Sequence, residues 1–343
     1  MAFTVILPEN EMSGALLREL QVALQGMDYT VQNHIRGAKG KLLFALALDE
    51  CGCNDNYYFM LREIRKDRKS LYGCTAGIIV TSCCEFYTKA TARVLVGSAN
   101  ASGCAFIGRP LVEGTGSLRN FHTQAQVRGT DVKGAYRAAI RELAERLEAW
   151  QGPSPIRKIV AVHASLRETS NTLSLWSLIK RHLHSAEIRE FSLVDGGNIA
   201  DCSGCSYTAC MHFGQKGSCL HGGDVVVRDI FPALREADAL VMLCANYNDT
   251  LSANLTAFVN RLTVLFRQAR FYDKQLFGVV VSGYSGGDLL ARQLISALNM
   301  NKSFYLPPYF DILETANEAG SLLKMEGIEE RAESYARRML GRE

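Results

Sequence analysis

The sequence lacks both of the glycine-rich fingerprints by which many nucleotide-binding folds are recognised. Neither GxGxxG nor GxxxxGK(S/T) occurs, which argues against a Rossmann dinucleotide site and against a P-loop. It has no apolar run long enough to span a bilayer. It has no excess of one charge: the net value is +3, with acidic and basic residues mixed throughout. That leaves no electrostatic footprint for nucleic acid or an anionic membrane. The opening MAFTVILPENE has no basic start and its apolar run breaks at Pro8, so it does not read as a signal peptide. Nothing resembling a Ser-His-Asp or Cys-His hydrolase arrangement stands out.

What is present is the composition of an ordinary soluble protein, 48% apolar and 21% charged. A chain of 343 residues is too long for one compact core, so two domains are expected. The eleven cysteines are an odd number, and Cys74, Cys83, Cys84 and Cys244 sit in strand-like apolar runs. This predicts reduced thiols in the cytoplasm rather than a secreted disulfide framework.

Gln151–Pro155 (QGPSP) is the clearest break, following a charged, periodic helix at Val132–Trp150. It divides the chain into a domain at 1–150, a linker at 151–155 and a domain at 156–343. In the second half, strands are predicted at Lys158–Ala164, Glu187–Leu193, Ala239–Ala245 and Phe277–Ser282, with a fifth near Phe304–Leu313. Helices are predicted at Ser170–His184, Gly223–Glu236, Ser252–Arg267, Asp288–Met300 and Glu326–Leu340. Short apolar strands alternating with helices specify an α/β fold: a doubly wound, five-stranded parallel sheet of flavodoxin type. Ligands sit at the carboxyl ends of the strands in such sheets. The first half reads as a weak echo, a degenerate flavodoxin-like domain that opens with a strand at Phe3–Leu7 and a helix at Gly14–Leu24. Leu71–Val80 can be laid against Leu234–Leu243. The junction after its first strand is PENEMSG, acidic and without arginine, so this copy has no phosphate loop. Generic α/β similarity accounts for the echo equally well.

Ile156–Thr172 (IRKIVAVHASLRETSNT) carries the most information about function. A strand stops at a hydroxyl-rich loop that feeds an amphipathic helix. Such a helix start is an anion site, because its first N–H groups lack partners within the helix and its dipole end is positive. Ser165, Arg167, Ser170, Asn171 and Thr172 add donors there. Ser170 or Asn171 acting as an ordinary N-cap, with Arg167 in solvent, is the competing reading. A phosphate alone does not give tight binding. Its hydrogen bonds contribute roughly 1.5–3 kcal/mol each, whereas a micromolar ligand needs about 8 kcal/mol net. Two more loops follow strands of the same half: Asn246, Tyr247, Asn248, Asp249 and Thr250 after one, and Ser282, Gly283, Tyr284, Ser285, Gly286, Gly287 and Asp288 after the other. Glycines admit close approach to backbone amides, and tyrosines offer a stacking face. A Gly-Gly before a helix is equally a tight turn.

The succession of a strand, S-x-R-x-x-S-N-T and a helix resembles the phosphate loop of the flavodoxin-like NADPH-dependent FMN reductases. The resemblance covers most of Ile156–Leu313, departing where the family usually has Gly (Ala164 here) and often Pro (Ala245 here). It implies that Ser165, Arg167, Ser170, Asn171 and Thr172 bind the FMN phosphate. Asn246, Tyr247 and Asn248 would line the ribityl chain and ring, and Ser282 with Gly283–Gly287 would face the isoalloxazine edge. FMN presents a terminal monophosphate and needs neither missing fingerprint. The resemblance further implies NAD(P)H as co-substrate, no catalytic triad, and a homodimer.

Cys202, Cys205, Cys210 and Cys219 follow a C-x2-C-x4-C-x8-C spacing. Four close thiolates suit zinc or an iron–sulfur cluster, with His212 and His221 as spare zinc ligands. A redox pair at Cys202–Cys205, or four ordinary thiols, are the alternatives. The motif resembles that of iron–sulfur flavoproteins, which space the second and third cysteines more tightly, and this implies a 4Fe-4S cluster. Cys51 and Cys53, near Asp49 and Asp55, have no second pair nearby. Glu113, Arg119, Asn120 and His122 form a polar loop that is either solvated or faces the flavin. The expected activity is an FMN-dependent NAD(P)H oxidoreductase passing electrons to a small acceptor of quinone, azo, nitro or flavin type. The alternatives are an iron–sulfur flavoprotein that relays electrons to a ferredoxin-type protein, and a metal-stabilised, non-catalytic interaction module.

Overall fold

The computed structural model describes residues 3–195 and 197–342. The chain divides into two compact units, Met1–Gly152 and Pro153–Glu343. The first contains β1 (Phe3–Ile6), β2 (Tyr29–Gln32), β3 (Lys41–Leu48), β4 (Thr75–Ser82) and β5 (Ala105–Gly114), ordered β2-β1-β3-β4-β5. The second contains β6 (Lys158–His163), β7 (Glu187–Ser192), β8 (Ala239–Ala245), β9 (Gln275–Ser282) and β10 (Asp311–Thr315), ordered β7-β6-β8-β9-β10. Every pairing is parallel. Counted from its own first strand, each sheet runs 2-1-3-4-5. This is the doubly wound flavodoxin-like order, with its switch point between the first and third strands.

The sequence explains why these strands are parallel and central. KLLFALAL in β3 and QLFGVVVS in β9 are apolar nearly throughout and buried over most of their length. Such runs suit a sheet covered on both faces. One face of the second sheet packs against the helices Asn171–Lys180 and Ile328–Met339, through a core that includes Trp176, Val241, Val279 and Tyr335. The buried Tyr335 hydroxyl reaches the carbonyls of Phe310 at 2.7 Å and Gly278 at 3.1 Å, so its polar tip is satisfied. The first unit has its own core, built around Leu43, Ala45, Ile79, Ile140 and Leu143.

Three expectations are corrected. The fifth strand begins at Asp311 rather than near Phe304. Pro307 and Pro308 have no N–H to donate to a ladder, and the pairing of Tyr305 with Gln275 is an isolated bridge outside the named strands. The comparison of Leu71–Val80 with Leu234–Leu243 was off by one strand: the former enters the fourth strand of its sheet and the latter the third. The counterpart of β8 is β3. The long helices after β8 and β9 are also interrupted. One divides at Leu262, and the other passes into a π-turn at Ile295–Met300.

Candidate functional site

β6 ends at His163, and the loop 164–170 leads into the helix Asn171–Lys180. Ser170 is the N-cap; its side chain accepts the Leu173 N–H at 3.3 Å. The N-cap reading is therefore realised; capping satisfies one first-turn N–H and leaves the other first-turn N–H groups without a partner within the helix. Ser165 and Thr172 are buried at the mouth. The Asn171 side chain points away from it. Its amide donates to the carbonyls of Ala316 at 3.1 Å and Glu318 at 2.8 Å and accepts the Gly320 N–H at 3.0 Å. Asn171 is thus a clasp on the loop after β10, and its own backbone N–H is what remains for an anion.

Arg167 is 65% exposed and pairs with Glu190 at 3.0 Å. Glu190 lies on β7, beside β6, and also accepts from Lys180 at 2.7 Å and from the Trp176 indole at 2.9 Å. Burial alone would push its carboxyl up, but Lys180, Trp176 and Arg167 outweigh that and hold it below the usual range. His163 is fully buried. Its Nδ1 faces the Ser165 N–H at 3.4 Å, while Nε2 has no hydrogen-bond partner among the described residues and lies 3.8 Å from Glu190. Burial lowers its pKa, Arg167 adds to the effect, and Glu190 opposes it.

The loops after β8 and β9 are tied by Asn246. Its amide donates to Ser282 Oγ at 3.2 Å, the Ser285 carbonyl at 3.1 Å and Asp249 at 3.1 Å, and its oxygen accepts the Asp249 N–H at 2.9 Å. Asn248 and Asp249 both adopt positive φ. Gly286 has φ +89°, and a Cβ there would lie 2.1 Å from Asp249; only glycine fits this crossing. Tyr247 is 54% and Tyr284 78% exposed. The sequence reading missed a fourth loop, 316–321. Asn171 holds it, Ala316 N–H bonds the Ser282 carbonyl at 2.8 Å, and Asn317 donates to the Tyr284 hydroxyl at 3.2 Å. It joins the phosphate-type loop to the tyrosine loop. These contacts span about 150 residues of chain, and no local pattern announces them.

Cys202, Cys205, Cys210 and Cys219 line a single cavity. The helix Tyr207–Gln215, capped by Ser206, lies within this stretch and carries Cys210. Among the described residues no three His, Cys, Asp or Glu side chains are arranged to hold a metal ion. His221 Nε2 is bonded to Ser203 Oγ at 2.7 Å, and His212 packs edge-on against Phe213.

In the first unit the corresponding turn is closed on itself. Asn10 donates to the Ala47 carbonyl at 2.9 Å, Ser13 Oγ donates to Asn10 at 2.9 Å, and Asn54 donates to the carbonyls of Pro8 and Ala47. Cys51 and Cys53 follow β3, and Cys83 and Cys84 follow its neighbour β4, so the topology brings two thiol pairs to adjacent strand ends. Glu113 accepts from Thr88 and pairs with Lys89, and Asn120 donates to the Glu113 carbonyl.

Residues 157–317 match the family model of the NADPH-dependent FMN reductases. No curated protein matches the chain. Among solved structures, an azoreductase from Bacillus anthracis str. Sterne is 15% identical, covering 54% of this chain and all of its own, with a TM-score of 0.40. An FMN-dependent NADH-azoreductase from Bacillus anthracis str. Ames Ancestor, solved with FMN, is 9% identical over 54% of this chain and 100% of its own, with a TM-score of 0.37. Rubredoxin oxygen:oxidoreductase from Desulfovibrio gigas is 12% identical over 74% of this chain and 48% of its own, with a TM-score of 0.34. No helix among the described residues is long and apolar enough to cross a membrane.

Proposed function

We propose, from the match of residues 157–317 to NADPH-dependent FMN reductases, that the second unit is an FMN-dependent NAD(P)H oxidoreductase. The observation that carries this is the convergence of three expected loops and one unexpected loop at the carboxyl edge of a single sheet, joined by Asn171, Asn246 and Asn317. The phosphate falls to the first-turn amides of the helix Asn171–Lys180, to Ser165 and to Arg167. Arg167 is exposed enough to turn from Glu190 toward a dianion without breaking the core. Asn246, Tyr247 and Asn248 flank the ribityl and ring side. The absence of a Cβ at Gly286 would let the ring edge approach the backbone there, and the exposed rings of Tyr247 and Tyr284 would offer it a face.

Bound FMN supplies hydride acceptance from NAD(P)H and onward electron transfer; the protein's part is to hold and orient it. Fixed loops at the sheet edge do this, and no general base is needed. The acceptor is a small molecule of quinone, azo, nitro or flavin type, the working form a homodimer, and the site of action the cytoplasm. Arg167→Ala should weaken FMN binding about tenfold or more, the cost of one charge-assisted hydrogen bond pair, with an unchanged melting temperature for the flavin-free protein. Titration by flavin fluorescence quenching reads this directly, and equal affinity in the variant would remove the phosphate assignment.

A second reading adds an iron–sulfur centre and electron relay to a ferredoxin-type protein. It is favoured by the lining of one cavity with four cysteines. A zinc ion needs its sulfurs at about 2.3 Å from one point, and no such gathering exists among the described residues. Cys202, Cys205, Cys210 and Cys219 would be the iron–sulfur centre's ligands, and it would supply one-electron chemistry.

A further inference from the structure

Ser206 caps the helix Tyr207–Gln215. Its side chain accepts the Ala209 N–H at 3.3 Å, and its carbonyl accepts the Cys210 N–H at 2.9 Å. Cys205 is therefore the residue before the N-cap, and Cys210 the fourth residue of the helix. Side chains at these two positions pack together across a capped helix start, ordinarily as a pair of hydrophobes. Here the pair is two thiols, and both line one cavity. The C-x2-C spacing suggests Cys202 with Cys205; the cap geometry couples Cys205 with Cys210 instead. The bracing of this segment does not use the sulfurs. Arg261, 1% exposed, ties it to the helix Ala253–Arg261 through the carbonyls of His221 at 2.9 Å and Ala200 at 3.4 Å and a two-pronged ion pair with Asp224. Cys205 and Cys210 are partly exposed, whereas Cys104 and Cys244 are buried. Burial pushes those two thiols well up, which is the condition of an inert packing cysteine.

The cavity also suits an anion. Among the described residues its lining has two arginines and no carboxylate. Arg261 Nε and Arg267 Nη1 are buried without a hydrogen-bond partner among the described residues. Such donors are costly to bury unmet, and a carboxylate would satisfy them. Asp224 offsets Arg261, while Arg267 lies 5.0 Å over the ring of Tyr207. Tyr207 stands between Cys205 and Cys210 in the chain, so this cation sits beside the thiol pair. The cavity encloses about 70 Å³. That is under half of the roughly 150 Å³ that admits benzene, which limits the occupant to a short acid arm.

We infer that Cys205 and Cys210 form a dithiol–disulfide site for small disulfides that carry carboxylates, with Arg267 guiding the anion. The inference stands apart from the flavin assignment and takes these two thiols away from the iron–sulfur reading. The Cys205 sulfur attacks one sulfur of the small disulfide, whose S–S bond breaks. One half leaves as a thiolate and takes up the Cys205 proton. The Cys210 sulfur then displaces the second half, which takes up the Cys210 proton. The protein dithiol is oxidised by two electrons to a disulfide, and the small disulfide is reduced to two thiols.

The test uses the full chain, reduced and freed of reductant, mixed with dithiodiglycolate (a dianion) or with neutral bis(2-hydroxyethyl) disulfide. Chymotryptic cleavage after Tyr207 separates Cys205 from Cys210, so mass mapping reads a bond between them. The wild type and Cys202→Ser should form that bond. Cys205→Ser should form none, and Cys210→Ser should stop as a mixed disulfide on Cys205. Arg267→Gln should slow the dianion relative to the neutral disulfide by about tenfold. Comparing that ratio between variants cancels the probes' different leaving groups. Arg270→Gln removes the same charge but should keep the wild-type ratio, because Arg270 folds back on Phe266 and does not line the cavity. A wild type without the cross-link overturns the site. So does a cross-link to Cys210 that persists in Cys205→Ser, or an adduct of Cys210→Ser that sits on Cys202 or Cys219. A probe ratio unmoved in Arg267→Gln overturns the preference for carboxylates.

Discussion

His163 shows how one residue couples the phosphate-type loop to the stability of its sheet. It ends β6, its ring is fully buried, and its lowered pKa means that the native state binds a proton less readily than the unfolded chain. The unfolded value is about 6.5. The stabilisation is therefore complete above that pH and is lost as pH falls from about 6.5 through the lower native value. Glu190 has the same sign in a more acidic window: its depressed carboxyl stabilises above the unfolded value of about 4.3 and loses that contribution as pH falls through the native one. Urea midpoints measured between pH 8 and pH 2 should decline in two stages. His163→Asn should flatten the upper stage and leave the lower one, and an unaltered upper slope in that variant would show that the buried imidazole does not report on folding. At this scale the donors were readable in the sequence but their employment was not. Hydroxyls, an arginine and an asparagine before a helix signal an anion site, yet Asn171 turns to backbone about 150 positions away, and Arg167 meets a carboxylate from the neighbouring strand.

Elements were legible where apolar period and length agree. β8 and β9 are runs of buried residues bounded by polar loops, and they stand where the pattern puts them, to within two residues. β10 was misplaced because Phe304–Phe310 is apolar enough to look like a strand, while its two prolines cannot enter a ladder. The loop that follows β10 was invisible for a different reason. It has no motif of its own and is held by Asn171 from the far end of the unit's sequence. Asn171→Ala would leave the Ala316 and Glu318 carbonyls and the Gly320 N–H without that clasp. A loss of about 2 kcal/mol is expected, or roughly 4–8 °C in melting temperature for a unit of this size. The same variant should loosen Asn317 from Tyr284 and weaken flavin binding more than the stability loss alone predicts. A melt by circular dichroism alongside a flavin titration separates the two effects. Intact stability with weakened binding would return Asn171 to a direct phosphate role.

On the scale of the whole molecule, two sheets of the same order share one chain, and the proposed anion site belongs to the second. The first unit fills its corresponding turn from within, through Asn10, Ser13 and Asn54. PENEMSG already declared the missing arginine, although it did not show which side chains close the gap. Each unit has a hydrophobic core drawn entirely from its own residues. The division falls at Gly152, inside the Gln151–Pro155 stretch. All four loops of the proposed flavin site and the cysteine cavity come from residues after that point. A chain of 153–343 has the length at which a single core buries about 70% of its surface, so it should fold alone with a cooperative transition. It should bind FMN within about threefold of the full-length affinity, a difference under 1 kcal/mol, whereas 1–152 should fold and bind none. Calorimetry of the two halves, with flavin titration of each, tests both expectations. Flavin affinity recovered only on mixing the halves would mean that the first unit completes the site, and the flavin would then belong to the pair of sheets rather than to the second one.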